Sequence, residues 1–188
     1  GVFHGIQYMF QKKDISLLMF FLFCCSISLR AITTDELYYF QPLFNINWSI
    51  LKRIEALSFF IAGPILLSYI YSIFQPPKHK KVMKYILLTT LFIIIIVIFT
   101  PLRVYGHLIK PYQVLTILLL FYCLYIVCDA LLKKQRFTLI FFIGLIILII
   151  SAINDILYNI KVVDTAFISH IGFVSVIICQ TIYMSKRN

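Results

Sequence analysis

Three ionisable residues stand in runs otherwise suited to an apolar medium. Arg30 closes FFLFCCSISLR, Glu55 sits in WSILKRIEALSFF, and Asp155 follows Asn154 at the end of FTLIFFIGLIILIISAIND. A guanidinium and two carboxylates can pair, hold a polar ligand or pass a proton, and each is costly to bury alone. No other residues show recognised catalytic or metal-binding spacing. There is no His-Glu-x-x-His run of the zinc-hydrolase kind, and His4, His79, His107 and His170 fall in different segments. Cys24, Cys25, Cys123, Cys128 and Cys179 make no Cys-x-x-Cys pair and lie inside apolar runs, where cysteine is a small hydrophobe. No serine or cysteine has an identifiable base. Catalytic, cofactor-binding and metal-ligating residues are therefore assigned to no position, and the expectation is a chain that is not itself an enzyme.

The elements that must carry these residues follow from composition. The chain has 188 residues, of which 62% are hydrophobic and 13% charged, and a mean hydropathy of +0.97. Soluble domains average about 25% charged residues, and a water-soluble fold of this size could not hide so much Ile, Leu and Phe. An all-α polytopic membrane bundle is expected. A span needs about 20 largely apolar residues, and six segments qualify: 15–32, 54–74, 82–101, 112–132, 137–158 and 167–185. Residues 1–11, which run into Lys12 and Lys13, read as the inner end of a truncated first helix. The whole of 1–188 reads as one transmembrane module.

Charge sets the orientation. With alternate connections on opposite sides, eleven basic and two acidic residues fall on one side, and six basic and five acidic on the other. The richer side carries Lys12, Lys13, Lys78, Lys80, Lys81, Lys84, Lys133, Lys134, Arg136, Lys186 and Arg187. The positive-inside rule makes it cytoplasmic, with the carboxyl terminus inside and seven spans in all. The net charge of +10 serves this topology, since its residues form short clusters between apolar runs rather than a basic face for nucleic acid.

Depth then groups the polar residues. The helical rise puts Asp155 about 27 Å from Phe137, and Arg30 about 24 Å beyond Asp14. Glu55 lies one turn inside its helix from the outer side. Residues three or four apart share a face, which gives stripes Ser26–Arg30–Thr33 or Thr34, Glu55–Ser58–Ala62, Ser151–Asp155–Tyr158–Asn159 and Ser169–Gly172–Val176–Gln180 with His170 beside it. Arg30, Glu55, Asn154 and Asp155 thus form a candidate polar network in the outer leaflet. It reads either as interhelical glue, as the floor of a site or a relay between two receptor states, or as a proton path. Pro64, in FIAGPILL, frees a backbone carbonyl and is a candidate hinge.

Four stretches carry a resemblance: HGIQYMFQKKDISLLMFFLFCCSISLRAITTDE, WSILKRIEALSFFIAGPILLSYIYSIF with Arg53-x-Glu55 and Pro64, SAINDILYN with Asn154-Asp155, and HIGFVSVIICQTIYMSKR. In order and spacing the chain resembles the membrane module of bacterial seven-transmembrane receptors with diverse intracellular signalling modules. The resemblance implies a signal-transducing module of the bacterial inner membrane, embedded in the lipid bilayer. Members of that family carry an outer carbohydrate-binding-like domain and a cytoplasmic cyclase, kinase or phosphatase, so the resemblance implies that 1–188 is a sensor or transducer module without either, its ligand unspecified. It also implies a homodimer, because such output domains act in pairs. The alternative is a small transporter or permease component. Transporters place ionisable residues near the midplane, whereas those here stay within a turn or two of the helix ends.

Overall fold

The computed structural model describes residues 15–34, 47–74, 80–135, 138–166 and 168–187. These residues form helices α1 (Ile15–Thr34), α2 (Trp48–Phe74), α3 (Lys80–Phe99), α4 (Leu102–Leu132), α5 (Thr138–Asn159) and α6 (Ser169–Arg187), with no strand among them. Helices α1 to α5 are each long and apolar enough to cross a membrane, and α6 carries a shorter apolar stretch, Ile171–Tyr183. The expected truncated helix at 1–11 lies outside the described residues.

The chain divides into two compact units, Gly1–Tyr112 and Gln113–Asn188, with the division inside α4 just past Pro111. In the first unit α1 packs on α2 and α2 on α3. Leu17, Phe20, Phe23, Cys24 and Ile27 of α1 are buried at helical spacing, as are Leu66, Leu67, Tyr69, Ile70 and Phe74 of α2. The Phe20 and Tyr69 rings meet at 5.3 Å between centroids. A second cluster joins Ala56 and Phe60 of α2, Val97 of α3, and Tyr105 and Tyr112 of α4. In the second unit α5 packs on α6, while α4 buries Leu119, Leu120, Cys123, Ile126, Val127 and Ala130. All five cysteines are free thiols.

Two helices start well before the hydropathy boundary, by six and ten residues. α2 begins at Trp48 rather than near 54, because Asn47 caps it. Its Oδ1 accepts from Ser49 N at 2.9 Å, and its carbonyl accepts from Ile50 N and Leu51 N. α4 begins at Leu102 rather than near 112 and runs through Pro111. Tyr105, Leu108, Ile109 and Tyr112 keep one apolar face on the α2–α3 cluster, which offsets the single hydrogen bond that Pro111 removes. Only Thr100 and Pro101 separate α3 from α4. Hydropathy marks what lipid accepts, and a helix can continue past that limit.

α4 and α5 end alike. Gln135 N bonds Ala130 O and Lys134 N bonds Leu131 O. At the next end, Val162 N bonds Leu157 O and Lys161 N bonds Tyr158 O. These are Schellman caps, with Lys134 (φ 53°) and Lys161 (φ 58°) in the left-handed position that glycine usually fills.

Candidate functional site

The polar residues singled out from sequence fall in both units. Arg30 and Glu55 belong to the first, Asn154 and Asp155 to the second, and each pair is described within its own unit.

On α1, Ser26 Oγ donates to the Ser58 carbonyl of α2 at 3.0 Å, a buried bond. One turn on, the Arg30 guanidinium lies over the Phe59 ring, 4.6 Å from its centroid. That cation–π contact gives the charge an aromatic face in a medium that offers little hydration. Glu55 takes Lys52 as its partner, Nζ to Oε2 at 2.7 Å, and Lys52 also stands 5.0 Å over the Trp48 ring. The neighbouring Arg53 reaches across to α3, where its Nη2 donates to the Thr100 carbonyl at 3.1 Å. A cation there complements the negative end of the α3 dipole.

Pro64 is buried within α2. Having no N–H, it leaves the carbonyl of Phe60, four residues back, without its helical donor. Tyr112 Oη supplies one, donating to Phe60 O at 2.6 Å. The Tyr112 ring stands edge-on to Phe60 at 4.5 Å and to Phe59 at 5.4 Å. The gap opened by proline in one helix is thus closed by a hydroxyl from another.

In the second unit the Asn-Asp pair closes the turn between α5 and α6. Asp155 Oδ1 accepts from Ile168 N at 2.8 Å, just ahead of α6. Asn154 Nδ2 donates to Ala166 O at 3.0 Å and to Asp155 Oδ1 at 3.3 Å, while its Oδ1 accepts from Thr165 Oγ1 at 2.9 Å. A carboxylate at the start of α6 suits the positive end of that helix dipole. The pair therefore binds chain eleven to thirteen residues further on and fixes where α6 begins.

Below this clasp α5 and α6 approach closely. A Cβ on Gly172 would stand 2.8 Å from Ser151 Oγ and 3.0 Å from Leu148 Cα, and one on Gly144 would stand 3.0 Å from Cys179 Sγ. Farther along, the Phe141 and Tyr183 rings meet at 6.4 Å. Gln180 is fully buried, and among the described residues neither its Oε1 nor its Nε2 has a hydrogen-bond partner.

Sequence reasoning singled out Pro64 and the Asn-Asp pair but missed Tyr112, the Arg53–Thr100 bond, and the loop residues Thr165, Ala166 and Ile168. The orphan carbonyl at Phe60 was a usable signal, since proline fixes its position. Nothing in the sequence names the hydroxyl that finds it.

The described residues form only helices, five of them long and apolar enough to cross a membrane, and the chain is a polytopic membrane protein. The chain belongs to the family described as 7TM diverse intracellular signalling, which matches residues 1–187. It is accordingly a membrane signalling receptor module, and that family is not typically catalytic itself. No curated protein and no solved structure matches the chain.

Proposed function

We propose that the chain relays an external signal through the bilayer of a bacterial inner membrane to a cytoplasmic output domain, with the α5–α6 hairpin as its moving part. The observation that carries this reading is the bond from Ile168 N to Asp155 Oδ1. It makes the start of α6 follow the end of α5, while the glycine contacts make the two helices travel together. A displacement at the 160–168 turn is then delivered at Arg187 rather than dissipated within the hairpin. The excess of basic residues supports a cytoplasmic end for α6. A homodimer is part of the same reading, since a paired output domain would respond to a change in α6 spacing, and the module itself performs no chemistry. Signal must bind or stabilise one hairpin position more than another, for only differential affinity shifts such an equilibrium.

The test is output from the full-length receptor in cells. Asn154→Ala/Asp155→Ala should uncouple output from stimulus when the response is normalised to the amount of receptor inserted in the membrane. Undiminished response in that variant would remove the hairpin from the signalling route. Substrate-dependent flux through liposomes containing the purified module would instead make it a transporter.

A further inference from the structure

The first ten residues of α4, Leu102 to Pro111, exceed what crossing a membrane demands. α4 has 31 residues, about 46 Å at the helical rise, against a hydrocarbon core of about 30 Å. The excess falls at the amino end, where Arg103, His107 and Lys110 are all exposed. Their spacing of four and three residues puts them on one helix face. The opposite face is committed to protein: Tyr105 and Tyr112 are buried in the cluster with Ala56, Phe60 and Val97, and Leu108 and Ile109 pack against it. The stripe is therefore held in a fixed direction. Among the described residues neither Arg103 nor Lys110 makes an ion pair, and the nearby Glu55 carboxylate is bonded to Lys52. On α4 the exposed apolar side chains of Leu102 (42%) and Val104 (48%) flank the stripe by helical spacing, and Phe99, which ends α3, is exposed at 81%. A helix end with both characters suits the boundary between acyl chains and head groups, where apolar side chains stay in lipid and basic ones reach the phosphates.

We propose that the Arg103–His107–Lys110 face binds the phosphate of an anionic phospholipid where α4 meets the membrane surface. Arg103 and Lys110 supply charge and charge-assisted donors, and the His107 ring N–H supplies a further donor between them. Lipid is the occupant because the flanking apolar residues give acyl chains a surface beside the cations, which a soluble anion would not use.

The experiment reads the selectivity of spin-labelled phosphatidylglycerol over spin-labelled phosphatidylcholine for the protein reconstituted in phosphatidylcholine bilayers. Each basic residue near a charged surface is worth about fivefold in binding. The unaltered protein should prefer phosphatidylglycerol, and Arg103→Gln/Lys110→Gln should lose most of that preference. Arg103→Lys/Lys110→Arg should keep it, which separates charge from folding. The proposal is overturned if the unaltered protein shows no preference, or if the double Gln variant retains it. It also fails if inorganic phosphate at equal concentration displaces the lipid, since the site would then take a free anion. Loss of binding to soluble polyglutamate with lipid selectivity unchanged would assign the stripe to an acidic protein segment and overturn the proposal likewise.

Discussion

The α2–α4 junction and the α5–α6 hairpin solve the problem of joining helices in opposite ways. At the junction proline opens a gap in the backbone ladder, and a side-chain hydroxyl, Tyr112 Oη on Phe60 O, closes it. In the hairpin the backbones themselves come close at Gly172 and Gly144, and a polar pair locks the turn. The first joint depends on one movable side chain among aromatic rings. The second leaves no room for a methyl group without something shifting. Without water to drive helices together, lipid-embedded segments associate through just these two means, polar bonds and small residues. The comparison implies that substitutions in the hairpin should cost more, and for steric reasons, than those at the junction.

The largest effect should come from Gly172→Val. Its Cβ would meet the Leu148 backbone at 3.0 Å as well as the Ser151 side chain, and overpacking of this kind costs about 3 kcal/mol. Unfolding in detergent would show it as a lower midpoint. A Gly106→Ala control, whose Cβ meets nothing within 4 Å, should be neutral or stabilising. Asp155→Ala comes next, at about 2 kcal/mol, since it removes a charged acceptor and leaves Ile168 N unbonded. Hydrogen exchange at residues 165–168 should then rise.

Tyr112→Phe should cost about 1.5 kcal/mol by stranding the Phe60 carbonyl. Pro64→Ala restores a helical donor to that carbonyl, so in its background the same Tyr112→Phe change should cost less than half as much. Additive costs in this double-mutant cycle would show that Tyr112 does not compensate for the proline. The smallest effect belongs to the caps: Lys161→Gly relieves a left-handed lysine and should stabilise by about 0.7 kcal/mol. Unfolding midpoints of the hairpin would register it.

Sequence carried much of this account, and physics explains where it ran out. Apolar runs located the helices because lipid sets their length, yet the starts at Trp48 and Leu102 escaped hydropathy. Those turns are stabilised by a cap, by one packed face and by the Arg53 bond to the Thr100 carbonyl, with Arg103 and Lys110 exposed. Pro64 announced an orphan carbonyl because the missing N–H is a covalent fact. Its donor, 52 positions away in sequence, depends on packing that no local pattern encodes. The Asn154-Asp155 pair was legible as a polar anomaly. Its bonds to Thr165, Ala166 and Ile168 were not, because a nine-residue turn can close in many ways.

The stiffness of the hairpin is tested most directly by the distance between spin labels on Ile150 of α5 and Ile171 of α6, both exposed near the turn. In reconstituted protein a single narrow distribution is predicted, and Asn154→Ala/Asp155→Ala should broaden it. A broad distribution in the intact protein, or a narrow one that survives loss of both side chains, would contradict the clasp.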